Sequence, residues 1–189
     1  MMIWWRKHLE LFVEYGLTKN IIKDIVKTNK LNLRDNCDSF INLLKQKNIP
    51  FLILSAGLGE IIKGYLESEK ILHKNIHLIS NFFKFDSKGK VIDYDSKVIH
   101  TFNKNEYAVK NTPYHKTIEK RKNVILLGDN LGDLNMSKGI HHENIIKIGF
   151  YNHKENTLLE KFKESFDIII MNDGPMDFIN DLIKDVISQ

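Results

Sequence analysis

Three short polar segments carry residue types and spacings that could do chemistry together. Gly128-Asp129-Asn130-Leu131-Gly132-Asp133 sets two carboxylates four residues apart, directly behind the apolar run Val124-Ile125-Leu126-Leu127. On a strand-to-helix turn such a pair can face one cavity, and hard carboxylate oxygens suit Mg²⁺. The glycines let the backbone turn tightly and approach a bound ion. The same two aspartates would also suit the cap of a following helix. Ser55-Ala56-Gly57 follows a second apolar run. Ser55 with the N–H groups of Ala56 and Gly57 could hold anionic oxygens, helped by the start of the next helix. Alone, Ser55 reads more readily as a helix cap. Lys104 lies between these segments and alone reads as a solvated charge. Taken in this order, the three meet the needs of a phosphoryl group: a cation, fixed donors and a lysine. Asp129 would then hold Mg²⁺ directly, and Asp133 would hold it through water or orient Lys104.

The surrounding pattern supplies elements to position these groups. Helical apolar spacing marks Trp4 to about Tyr15, Lys19–Val26 with Thr18 as N-cap, and Asp35–Lys47. Ile49–Leu54 is a short continuous apolar run, as expected for a strand buried on both faces of a parallel sheet. A helix over Glu60–Glu69 and a strand over Ile76–Ser80 follow. Residues 82–101 read as a β-hairpin turning at Asp86-Ser87-Lys88-Gly89. Val124–Leu127, Ile145–Gly149 and Asp167–Met171 complete the strands, and a helix over Met176–Ile187 closes the chain. Strands alternating with helices predict a doubly wound α/β domain with a mostly parallel sheet.

Composition narrows the function classes. The 189 residues suffice for one well-packed domain with a small attached subdomain. The net charge of +4 comes from lysines scattered among acids, unlike the concentrated basic stripe of a nucleic-acid binder. A single cysteine, Cys37, excludes an intramolecular disulfide and a CxxC metal site, and reads as a small buried or half-exposed side chain. No apolar run approaches the roughly 18 residues of a membrane span. The segment Met1–His8 lacks the layout of a signal peptide, so the cytoplasm is the expected compartment.

The order Ser55, Lys104 and the GDxxGD segment resembles motifs two, three and four of the haloacid dehalogenase-like (HAD) superfamily. The resemblance extends through Phe51–Glu60, Ile79-Ser80-Asn81-Phe82, His100–Asn105, Leu126–Asp133, Ile146–Phe150 and Phe166–Ile169. Over essentially the whole chain the sequence is similar to the class III cytosolic pyrimidine 5′-nucleotidases. That resemblance implies a HAD-like three-layer core over 47–189 behind a remnant helical cap over 1–46. It implies Mg²⁺-dependent hydrolysis of nucleoside 5′-monophosphates, typically pyrimidine ones, some relatives accepting 7-methylguanosine monophosphate. By motif position Ser55, Ala56, Gly57 and Lys104 contact phosphate and Asp129 ligates the metal, with Asp133 beside it. In the cap, Trp4, Trp5 and His8 could stack on or hydrogen-bond the nucleobase; the tryptophans read more readily as packed against the other cap helices or exposed by truncation.

One departure from the family pattern matters. Relatives attack phosphate with the first aspartate of a DxDxT motif and use the second as general acid and base. DxDxT occurs nowhere in this chain. Asp93-Tyr94-Asp95 has the Asp-x-Asp spacing but lies in the expected hairpin, behind no buried strand. The chain is therefore expected to be the C-terminal part of such an enzyme, inactive alone, with unpaired strand edges that favour self-association. Two other roles fit the same residues: another HAD phosphatase or phosphotransferase, or a binding module that keeps the phosphate site without turnover. His141-His142 and the other histidines read as surface residues.

Overall fold

A computed structural model describes residues 2–28, 31–101, 103–110, 112–153 and 156–188; Phe102 of the lysine segment lies outside them. In chain order the elements are α1 (Met2–Glu14), α2 (Lys19–Lys27), α3 (Cys37–Gln46), β1 (Phe51–Leu58), α4 (Gly59–Ser68), β2 (Ile76–Asn81), β3 (Phe83–Phe85), β4 (Val91–Tyr94), α5 (His115–Ile118), β5 (Asn123–Gly128), β6 (Asn144–Tyr151), α6 (Asn156–Ser165), β7 (Ile168–Met171) and α7 (Asp177–Ile187). Short 3₁₀ turns at Glu106–Val109 and Leu131–Asn135 interrupt the series. β1 and β2 are parallel, as are β5, β6 and β7; among the described strands only β3 and β4 pair antiparallel. The chain is α/β with mostly parallel strands, as its apolar runs predict.

Contacts group the chain into two discontinuous units: residues 1–32 with 51–100, and residues 33–50 with 101–189. Neither is bounded at residue 46.

In the first unit Thr18 caps α2 as expected, its Oγ1 accepting from Ile21 N at 3.2 Å. Such a cap is worth about 1 kcal/mol. α2 buries Ile22 and Val26. Gly64 of α4 admits Val26, whose Cγ2 would lie 3.1 Å from a Cβ there. The expected hairpin is present as β3 and β4, turned by Asp86, whose Oδ1 accepts from the N–H of Lys88 and Lys90. The hairpin docks on the start of α2 through Lys19 N to Gly89 O and Val91 N to Leu17 O. Ile22, Phe83, Val91, Tyr94 and Val98 form this unit's buried cluster, with Trp5 and Phe12 of α1 packed against it. Burying side chains of this size stabilises by roughly 1.5–3 kcal/mol each.

In the second unit the three-stranded sheet packs against α6, with Leu126, Tyr151, Phe162 and Phe166 as its buried cluster. Gly149 of β6 leaves room for the Phe166 ring, 2.9 Å from where a Cβ would stand. α3 is held to α7 by Asn36, which donates to both carboxylate oxygens of Asp177, and by Asn180 donating to Asn36 O. α3 begins at Cys37, because Asn36 sits in the left-handed region at φ 61°. Cys37 itself is half-buried, and burial raises its thiol pKa.

Candidate active site

β5 ends at Gly128, and the backbone leaves it carrying Asp129 exposed and Asp133 turned inward. Asp133 is 4% exposed. Its Oδ2 accepts from Asp129 N at 3.0 Å and Asn130 N at 3.2 Å, while Oδ1 meets Lys104 Nζ at 2.8 Å. Asn130 completes a reciprocal capping box. Asp133 thus caps a turn and at the same time holds Lys104. What it caps is a five-residue 3₁₀ turn, shorter than the helix expected there. Gly128 is required by the same approach, since a Cβ at that position would stand 2.6 Å from Asp133 Cβ. Gly132 likewise leaves no room beside Thr101 Cγ2.

Lys104 is held from the other side of its own segment. Asn105 Oδ1 accepts from Tyr107 N, and Glu106 N donates to Lys138 O at 3.0 Å. Glu106 is buried and meets His142 Nε2 at 2.8 Å. His142 Nδ1 faces the Arg121 carbonyl at 3.3 Å, and its Nε2 faces the Glu106 carboxylate. With its side chain 2% exposed, His142 corrects the expectation of a surface residue. His141 is exposed as expected. Burial, and secondarily the Glu106 charge, pushes the nearby Tyr114 phenol up.

Ser55, Ala56 and Gly57 do not follow a strand, as expected, but lie inside β1, which runs on to Leu58. The pairing with β2 breaks there: Leu54 stands opposite Ile79, and Leu58 opposite Asn81. Three residues of β1 thus oppose the single residue Ser80, a bulge that displaces them from the ladder. Ser55 Oγ accepts from Gly57 N at 3.0 Å. Ser80 Oγ donates to Gly57 O at 2.8 Å, and Asn81 Nδ2 donates to Ala56 O at 2.8 Å. Neither Ser80 nor Asn81 was marked as functional by its residue type or spacing.

The remaining candidates are in the first unit. The His8 ring lies against Trp4, centroids 3.7 Å apart, with Nδ1 2.8 Å from Trp4 O. Trp4 is half-exposed, whereas Trp5 packs edge-on to Tyr94 within the buried cluster. Asp93 and Asp95 are exposed at the end of the hairpin, and Asp93 Oδ1 accepts from Tyr94 N.

Asp129 and Asp133 are the donors available to a divalent cation at the β5 turn, and among the described residues no group of three or more His, Cys, Asp or Glu could hold one. Two carboxylates fit Mg²⁺, which keeps waters and takes substrate phosphate oxygens as its other ligands. Because Asp133 already serves two amides and an ammonium, Asp129 is the carboxylate left open to it.

Comparison with known proteins supports the sequence resemblance. Residues 1–187 match the family described as pyrimidine 5′-nucleotidase (UMPH-1). The 7-methylguanosine phosphate-specific 5′-nucleotidase A of Xenopus laevis is 40% identical over 185 residues, 97% of this chain and 64% of its own length. The enzyme of that specificity from Homo sapiens is 37% identical over 190 residues, 100% of this chain and 63% of its own. The chain thus spans less than two thirds of these relatives. The crystal structure of cytosolic 5′-nucleotidase IIIB bound to cytidine superposes with a TM-score of 0.87 at 32% identity, covering 98% of this chain and 63% of that one. A phosphoserine phosphohydrolase-like protein from Francisella tularensis, at 21% identity and a TM-score of 0.57, shares the fold. From its sequence match, its relatives and its fold, the chain belongs to the pyrimidine 5′-nucleotidase (UMPH-1) family.

Proposed function

We propose that this chain carries the phosphate-handling residues of a 5′-nucleotidase that releases phosphate from nucleoside 5′-monophosphates. The observation that carries the reading is the β5 turn, where Asp133 fixes Lys104 at 2.8 Å and leaves the Asp129 carboxylate exposed. A lysine held this way is a preorganised charge that needs no reorganisation when phosphate arrives. Lys104 neutralises phosphate, and Ser55 with the N–H groups of Ala56 and Gly57 contributes donors to its oxygens. Asp129 would hold Mg²⁺ directly, and Asp133 would bear on it through water. The ion, when bound, would offset phosphate charge and polarise the P–O bond.

The substrate class is supported by the relatives' names, which specify 7-methylguanosine phosphate, and by cytidine in the similar crystal structure. His8 bears on base choice: with Nδ1–H on the Trp4 carbonyl, its Nε2 offers an acceptor to a base N–H, and the half-exposed Trp4 ring offers a stacking face. The cytoplasm is the proposed place of action, supported by relatives named cytosolic. Among the described residues no helix is long and apolar enough to cross a membrane.

Because DxDxT is absent from this sequence, the chain by itself is proposed to bind nucleotide and phosphate without turnover. The test is Mg²⁺-dependent phosphate release from UMP, CMP and 7-methylguanosine monophosphate, beside nucleotide binding, in the chain and its Asp129→Asn variant. Binding that weakens in the variant, with no release by either, supports the reading. Release by the unaltered chain that Asp129→Asn abolishes would show that another carboxylate replaces the family's aspartate, and would overturn the inactivity. No binding of any nucleotide would overturn the function itself.

A further inference from the structure

Two buried polar side chains at the end of β2 are unexplained by the roles assigned so far. Ser80 is 4% exposed and Asn81 2%. A buried hydroxyl and a buried amide cost free energy unless bonded, and each of these two is bonded to the backbone of the bulge in β1. Ser80 donates to Gly57 O; Asn81 donates to Ala56 O at 2.8 Å and to Ile99 O at 2.9 Å, and accepts from Ile99 N at 2.7 Å.

The peptide bond is planar and, here, trans, so its C=O and N–H point in opposite directions. Holding Ala56 O toward Asn81 therefore turns Gly57 N–H the other way, where it meets Ser55 Oγ at 3.0 Å. Holding Gly57 O toward Ser80 turns Leu58 N–H away from β2 in the same manner. A sheet ladder cannot do this, because pairing with β2 lapses between Leu54 and Leu58. Without the two side chains, the peptides of this glycine-containing bulge would be free to rotate.

We infer that Ser80 and Asn81 are positioning residues for anion binding: by gripping the carbonyls of Gly57 and Ala56 they aim the N–H groups of Leu58 and Gly57 outward, beside the Ser55 hydroxyl. The inference rests on the nucleotidase reading of Ser55–Gly57 and adds the residues that orient it. Neither side chain touches phosphate. Asn81 joins the bulge to Ile99 as well, so the aim of the loop depends on the segment that follows the hairpin.

The test follows the backbone amides of Gly57 and Leu58 by ¹H–¹⁵N NMR while the full chain is titrated with inorganic phosphate and with UMP. Ser80→Ala is nearly isosteric and removes one grip; Ser80→Thr restores the hydroxyl; Asn81→Ala removes the other grip, with its fold checked by urea unfolding. The expected result is a phosphate-dependent shift of both amides in the unaltered chain and about ten-fold weaker phosphate binding in Ser80→Ala, with the Leu58 shift lost and recovered in Ser80→Thr. Unchanged affinity and unchanged amide shifts in both alanine variants would overturn the inference while leaving the proposed function standing. Weaker binding in Ser80→Ala with the Leu58 shift retained, or no recovery in a folded Ser80→Thr, would also overturn it. If the unaltered chain binds neither phosphate nor UMP, the nucleotidase reading itself falls.

Discussion

The turn after β5 and the bulge within β1 both lie toward the carboxyl end of a parallel strand, and they are fixed by opposite means. At the β5 turn a buried charge organises everything: Asp133 gathers two amides and the Lys104 ammonium, and Gly128 makes room for it. At the β1 bulge neutral side chains hold carbonyls, and no ionised group is involved. A charged hub is unforgiving, since losing it strands a buried counter-charge. A neutral clamp gives up its bonds one at a time. The first design suits a lysine that must not move, and the second suits peptide donors whose aim can be adjusted.

The widest gap should appear on removing each hub. Asp133→Ala leaves Lys104 and two N–H groups unmet and should destabilise by about 3–5 kcal/mol in urea unfolding. Asn81→Ala should cost about 2 kcal/mol, the loss of neutral hydrogen bonds alone. Equal losses in the two variants would erase the contrast. The glycines sharpen it further. Gly128→Ala drives a methyl into Asp133 and should cost about 1–3 kcal/mol. Gly57→Ala meets Ser55 Oγ at 3.2 Å and should shift stability by less than about 1 kcal/mol.

The smallest effect concerns the one carboxylate that bears on the β1 side. Glu60 Oε1 accepts from Phe83 N at 2.8 Å, while Oε2 is buried with no hydrogen-bond partner among the described residues. Burial raises its pKa above 4.5, with Asp95 adding to the rise and Phe83 N–H and Lys19 opposing it. The folded state therefore holds the proton more tightly than the unfolded chain, and stability should fall as pH rises from about 4.5 through the raised value. Unfolding midpoints from pH 4 to 7 should fall less in Glu60→Gln than in the unaltered chain. An identical slope in both would detach Glu60 from the effect.

Residue identity made the β5 turn legible in the sequence, because few arrangements other than a tight carboxylate turn call for Gly-Asp and Gly-Asp four residues apart. The strands were legible as apolar runs, and the hairpin from Asp86 to Gly89. What stayed hidden depended on partners distant in sequence. Asn81 on a strand has no period that marks it as buried, and its role exists only because β1 bulges opposite Ser80. His142 differs from His141 only in facing Glu106, 36 residues earlier. The end of β1 was misplaced because Ser-Ala-Gly looks like a loop, whereas the strand resumes at Leu58. α6 could have been found: Leu158, Leu159, Phe162 and Phe166 have helical spacing and pack on the sheet.

The register of the bulge has an arithmetic of its own. From Leu54 to Leu58 is four steps along β1, and from Ile79 to Asn81 two along β2, so the excess is an even number. Because side chains alternate faces with a period of two, an even excess returns Leu58 to the face it would have occupied in an unbroken strand. Parity thus lets the strand carry an extra loop without turning its apolar side outward. A single deletion in the bulge would turn Leu58, the last residue of β1, to the opposite face.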